Sequence, residues 1–246
     1  MLNMRYLAAT ILPAISRFIP GPVKTLAKRL GLSKAWGALL DKHTAELTFQ
    51  TRWAKAYKDN SAALERDLEQ FWSKYRCLDK IKELCEIGEE STVLDVGCGI
   101  ATVLHILRGN RFGIDPLAEE YRKMYNYPCG ISVMKGEGEN IPFDDGFFDF
   151  VFCSNVLDHV TDPAATLEEV RRVLKPGGFF ILIVEIFSGQ IKRNSAHPHS
   201  LGLNDLNELV NSGFENLHGE KVPWHSDDPD AAGFVGIFRK TAGKTC

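Results

Sequence analysis

The sequence predicts an α/β fold: a doubly wound, mostly parallel sheet of seven strands, with the last strand antiparallel and a helical extension at the N-terminus. Three observations predict it. From Ser91 onward, short apolar runs alternate with helical patterns, the mark of strand–helix–strand units. Phe148–Ser154 is apolar from Phe150 to Cys153, as a central parallel strand buried on both faces requires. Phe214–Val222 and Phe234–Lys240 follow one another with no helix between them, which implies one antiparallel strand.

The elements follow in order. Residues 1–40 obey a different rule from the rest. They hold Arg5, Arg17, Lys24, Lys28, Arg29 and Lys34 and no acid, although the whole chain has a net charge of −3. Met4, Leu7, Ala8, Ile11, Ile15, Phe18 and Ile19 share one helical face. After Pro20-Gly21-Pro22, Val23, Leu26, Ala27 and Leu30 repeat the pattern opposite Lys24, Lys28 and Arg29. Residues 1–32 therefore suit an anionic membrane surface. They equally suit packing on the protein's own core or between subunits. Pro13 and Arg17 interrupt the apolar run, which is too short to span a membrane and lacks a signal-peptide cleavage pattern. The expected location is cytoplasmic, with the inner membrane face as a possible contact.

Residues 41–87 read as a helical cap or linker. Asp41–Tyr57 is mixed and aromatic-bearing. Ser61–Leu84 reads as one long helix, with Leu64, Leu68, Phe71, Trp72, Tyr75, Leu78, Ile81 and Leu84 near a 3.6-residue period. Residues 88–240 read as one domain, and 241–246 as a tail. Within the domain, strands are expected at Thr92–Val96, Arg111–Asp115, Ile131–Lys135, Phe148–Ser154 and Phe179–Glu185, before the final pair. Helices are expected from Gly99 to Leu107, over Leu117–Asn126, Pro163–Leu174 and Asn204–Asn211. Lys175-Pro176-Gly177-Gly178 stops the third of these.

The chemistry-bearing residues sit at strand ends. Val93–Ala101 places Asp95 at the end of a strand, then a turn of Gly97, Cys98 and Gly99. Glycine lets a backbone approach a ligand, and an acid there suits a cationic group better than a pyrophosphate. Asp115, followed by Pro116, ends the second strand, where a carboxylate faces a nucleoside ribose in doubly wound folds. It also reads as a helix N-cap. Gly136–Asp149, Ser154–Val160 and Glu169–Gly178 complete the set. The six cysteines form no Cys-x-x-Cys pair and no zinc spacing, so reduced thiols and no metal are expected. A pI of about 6.2 carries no nucleic-acid signature.

In order and spacing these motifs resemble the class I S-adenosylmethionine-dependent methyltransferases, in the subgroup with small-molecule and quinone enzymes. The resemblance implies a Rossmann-like domain that binds S-adenosyl-L-methionine. Asp95 with Gly97, Cys98 and Gly99 would hold its methionine part, and Asp115 with Pro116 the ribose. Glu137 would contact the adenine amino group and the Gly138 N–H the ring, while Asn155 would lie beside the methyl donor. Ala101 and Glu137 depart from the family's usual glycine and aspartate. Asn155-Val156-Leu157-Asp158 lacks the prolines and aromatic of enzymes that methylate exocyclic amines.

An oxygen acceptor needs a proton acceptor. His159 is the candidate, with Asp158 to orient an imidazole or to serve itself; a structural hydrogen bond at a helix start is the other reading of His159. His197 and His199, near Lys192 and Arg193, follow the fifth strand and offer an alternative base. Trp224 and His225 either line the acceptor site or pack ordinarily. The expectation is an O-methyltransferase of a small-molecule or lipid- or glycan-linked acceptor near the membrane. A quinone C-methyltransferase and a non-catalytic cofactor-binding scaffold are the alternatives; binding without transfer would favour the scaffold.

Overall fold

The computed structural model describes residues 42–74, 77–188, 198–211, 213–224 and 230–241. The basic segment 1–40, the tail 242–246 and Lys192, Arg193, His197 and His225 lie outside the described residues.

Helices α1 (Lys42–Tyr57), α2 (Ser61–Lys74) and α3 (Cys77–Leu84) lead into β1 (Thr92–Val96). There follow a 3-10 turn at Val103–His105, β2 (Asn110–Asp115), α4 (Ala118–Met124), β3 (Ile131–Lys135) and β4 (Phe148–Ser154). Then come α5 (Pro163–Val173), β5 (Leu174–Phe187), α6 (Leu203–Val210), β6 (Phe214–Val222) and β7 (Ala231–Lys240). The seven strands form one sheet in the order β3-β2-β1-β4-β5-β7-β6. β1 to β5 pair in parallel, and β7 is antiparallel to both β5 and β6. The expected architecture is the observed one.

The two-residue period of the strands sorts side chains onto two faces. Val93, Phe150, Phe152, Ile181, Ile183, Val235 and Ile237 face Leu64, Leu68 and Trp72 of α2 and Cys77 and Ile81 of α3. Trp72 meets Phe152 edge to face at 5.8 Å. On the opposite face Leu94, Val96, Val151, Cys153, Phe180, Leu182 and Val184 meet Leu167, Val170 and Val173 of α5 and Leu206 and Val210 of α6. Both faces are covered, as a parallel sheet requires.

The stretch from residue 42 is a full helix, α1, within the segment read as a helical cap or linker. Three local expectations change. The helix read over Ser61–Leu84 is described as α2 and α3, on either side of residues 75–76, which lie outside the described residues. The helix expected after Gly99 is a three-residue 3-10 turn, capped where the Leu104 N–H donates to Thr102 Oγ1 at 3.2 Å. Ile100, Thr102, Val103 and Ile106 are β-branched, and a helix restricts their side chains most. Finally, β5 begins at Leu174, before the expected Phe179. Lys175-Pro176-Gly177-Gly178 stops α5 but continues as extended chain, with a register shift opposite Phe148–Phe150 and Gly177 at φ +78°.

Candidate active site

The pairing register aligns three strand ends. Val96 lies opposite Ile114 of β2 and Cys153 of β4. The chain leaving β1 turns tightly there, with the N–H groups of Gly97 and Cys98 both donating to the Ile114 carbonyl at 2.8 and 3.1 Å. Gly97 has φ +67° and Gly99 φ +54°, conformations that glycine adopts without strain. A Cβ on Gly97 would lie 2.4 Å from the Val156 side chain. The turn is therefore built for bare backbone.

Two carboxyls brace this turn. Asp115 accepts the Gly99 N–H at 3.2 Å on Oδ2 and the Leu117 N–H at 2.8 Å on Oδ1. Burial pushes its pKa up to about 6. Asp95 is also buried, and its Oδ2 accepts the Thr102 hydroxyl at 2.6 Å. Burial pushes its pKa up to about 7. Cys98 lies buried in the turn, and desolvation raises its thiol well above the usual range, with Asp115 and Asp95 adding to the effect. Pro116, between Asp115 and α4, is half-buried.

Further along, Glu137 is exposed and pairs its backbone with Asn140 in an isolated bridge. Gly138 is buried, and a Cβ there would lie 2.9 Å from Thr166 of α5. Asn155 ends β4 at φ +57°, the one non-glycine with positive φ among the described residues. Its N–H donates to Ile183 at 2.7 Å. Asparagine tolerates the left-handed region better than most residues, and such strain clusters at functional sites.

Three of the four candidate catalytic residues come together just past Asn155. Asp158 is 1% exposed, and its Oδ2 lies 3.6 Å from Nε2 of half-buried His159. His199 packs against the same loop. Its N–H donates to the Asp158 carbonyl at 3.4 Å, and its Nε2 meets the carbonyls of Val160 and Thr161 at 3.1 and 3.2 Å. Facing two carbonyls, that nitrogen donates, which leaves Nδ1 as the acceptor of a neutral ring. Trp224 packs on β7, within 2.5 Å of where a Gly233 Cβ would be, and joins the core face that holds Val222 and Ile183.

α1 contributes residues that the motifs did not reveal. Gln50 is buried and lies across the glycine turn, accepting the Ile100 N–H on Oε1 at 2.8 Å. Its Nε2 donates to Glu46 Oε1 at 2.7 Å. Tyr127 donates its hydroxyl to the Gly99 carbonyl at 2.7 Å. Helical spacing links Glu46 to Gln50, but no sequence signal ties that pair to a turn fifty residues away. Among the described residues no cluster of His, Cys, Asp and Glu could hold a metal ion. No helix among them is long and apolar enough to cross a membrane.

Residues 94–182 match a family model described as a methyltransferase domain. This is a class I S-adenosylmethionine-dependent methyltransferase domain. The chain is 31% identical over 157 residues to an uncharacterized methyltransferase of Mycobacterium sp. strain KMS, covering 61% of this chain and 57% of that one. It is 34% identical over 112 residues to a demethylmenaquinone methyltransferase of Staphylococcus saprophyticus, covering 42% and 48%. The chain thus spans about half the length of these curated relatives. Its fold matches that of a Galdieria sulphuraria protein assigned as a sarcosine dimethylglycine methyltransferase. The TM-score is 0.57 at 16% identity, over 70% of this chain and 86% of that one.

The methyltransferase domain has the features its cofactor needs. The glycine turn offers bare backbone, and each Asp115 oxygen keeps a second lone pair for a ribose hydroxyl. The buried Tyr121 hydroxyl lies beside Asp115 and favours its charged form.

Proposed function

We propose that the protein transfers a methyl group from S-adenosylmethionine to an oxygen of a small-molecule or lipid- or glycan-linked acceptor, with His159 as the proton acceptor. The observation that carries this reading is the Asp158–His159 pair, 3.6 Å apart at the end of β4. When bound, the cofactor supplies an electrophilic methyl group on a sulfonium. The domain's own residues do the rest. The glycine turn and Asp115 hold the cofactor, Glu137 and Gly138 face its adenine, and Asn155 stands beside its methyl end. An acceptor hydroxyl gives its proton to the His159 imidazole, and buried Asp158 stabilises the imidazolium so formed. The basic, amphipathic character of residues 1–32 supports an acceptor at an anionic membrane surface and a cytoplasmic site of action.

The test is mass spectrometry of products from an acceptor screen, run with wild type and His159→Gln. The variant should lose O-methylation about 100-fold or more while binding S-adenosylhomocysteine within about twofold of wild type. Retained turnover would remove His159 from the chemistry. A second reading, C-methylation of a quinone, draws support from the demethylmenaquinone methyltransferase relative. A product carrying its new methyl on ring carbon would establish that reading instead.

A further inference from the structure

We propose that Glu46 of α1 is a further cofactor-binding residue, which takes the ammonium of the methionine portion of S-adenosylmethionine, and that Gln50 positions it. The inference rests on the methyltransferase reading above. α1 lies outside the segment matched by the family model, yet it reaches the centre of the site.

Gln50 provides the geometry. It is 6% exposed, and both ends of its amide are used: Oε1 takes the Ile100 N–H, and Nε2 holds Glu46 Oε1. A Cβ on Gly99 would lie 2.4 Å from Gln50 Nε2, so the amide rests directly on the turn. The Glu46 carboxylate is thereby fixed over the glycine turn rather than left to sweep through solvent.

The surroundings call for a cation. Glu46 bears on both Asp115 and the buried Tyr121 hydroxyl beside it, raising the pKa of each. Asp95, the acid expected to meet the ammonium, is buried and engaged by the Thr102 hydroxyl. Full negative charge is disfavoured there, whereas half-buried Glu46 keeps access to water. No lysine or arginine forms an ion pair with Glu46, Asp95 or Asp115 among the described residues. A ligand ammonium would meet the Glu46 carboxylate beside these two acids.

Two ligands separate this role from a structural one. S-adenosylhomocysteine carries the amino-acid portion, and 5′-methylthioadenosine lacks it. By calorimetry on the full chain, Glu46→Gln should bind S-adenosylhomocysteine at least tenfold more weakly than wild type and 5′-methylthioadenosine within twofold. Gln50→Ala should show the same selective loss, at about threefold or more. Equal weakening of both ligands, or of neither, would overturn the assignment. Carbodiimide labelling of wild type, mapped by mass spectrometry, needs no variant. S-adenosylhomocysteine should protect Glu46 and 5′-methylthioadenosine should not; an unprotected Glu46 sinks the proposal. Wild type that binds neither ligand would instead remove the S-adenosylmethionine reading, and this role with it.

Discussion

Asp95 and Asp115 are acids that the fold holds against their own preference. In the unfolded chain each ionises near pH 4; in the folded protein burial moves Asp95 to about 7 and Asp115 to about 6. Between those values the folded state binds more protons than the unfolded one. The stability this represents is fully present below about pH 4 and is lost as pH rises through 6 to 7. For Asp95 the cost at neutral pH is on the order of 4 kcal/mol. Asp95→Asn keeps an oxygen for the Thr102 hydroxyl and removes that cost. The unliganded variant should be more stable than wild type at pH 7.5 by about 1–4 kcal/mol, with the difference closing below about pH 4. Urea titrations at a series of pH values measure it, and a difference independent of pH would rule out a buried charge as its cause. Both acids were legible in the sequence from their places before a glycine turn and at a strand end. Their burial was not, because it depends on Thr102, Gly99 and Leu117 closing around them.

The strands read well from sequence and the helices less so, for one physical reason. Thr92–Val96, Ile131–Lys135 and Phe148–Ser154 have the bounds expected of them, since each is a short, mainly apolar segment between turn residues. The buried face of α1 escaped notice because polar residues are among those it buries. Thr44 and Gln50 are as inaccessible as Leu47 and Ala54, and a hydrophobic pattern counts such residues as solvent-facing. The 3-10 turn after Gly99 escaped for the opposite reason, since apolar spacing there resembled a helix that β-branching disfavours.

α5 illustrates an element used as an anchor. Its Arg172 donates to Glu169 on the same helix, to Asp145, and to the carbonyls of Ile141 and Phe143, tying down the loop between β3 and β4. The Ile141 N–H donates back to Glu169. Asp145 is highly exposed, so that ion pair adds little. The carbonyl bonds carry the effect. Arg172→Ala should destabilise the protein by about 1–3 kcal/mol, read as a lower urea midpoint. Hydrogen exchange should quicken at residues 141–146, and an unchanged loop would show that Arg172 anchors nothing.

For the whole molecule, charge is the feature that sequence exposes and the described fold does not explain. The segment 1–40 carries six basic residues and no acid, against a net charge of −3 for the chain. If that segment serves the membrane, deleting residues 1–32 should abolish sedimentation with vesicles containing anionic lipid. S-adenosylhomocysteine binding should stay within about twofold, because such surface attraction is separate from the cofactor site. Undiminished sedimentation of the truncated protein would exclude the segment as the anchor. Salt should weaken the association of the full chain in the same assay.

The sheet order has a consequence for how the protein is made. β7 is the last strand in sequence, but in space it separates β5 from β6. A ribosome delivers β6 before the strand that must lie between it and β5. Until residues 231–240 emerge from the exit tunnel, the edge of β5 away from β4 stays open along the nine residues it will share with β7, from Phe179 to Phe187. Such an edge invites pairing with any neighbouring nascent chain. The arrival of residues 231–240, rather than of the motifs that define the chemistry, therefore decides whether each new copy closes its sheet or finds a stranger's strand first.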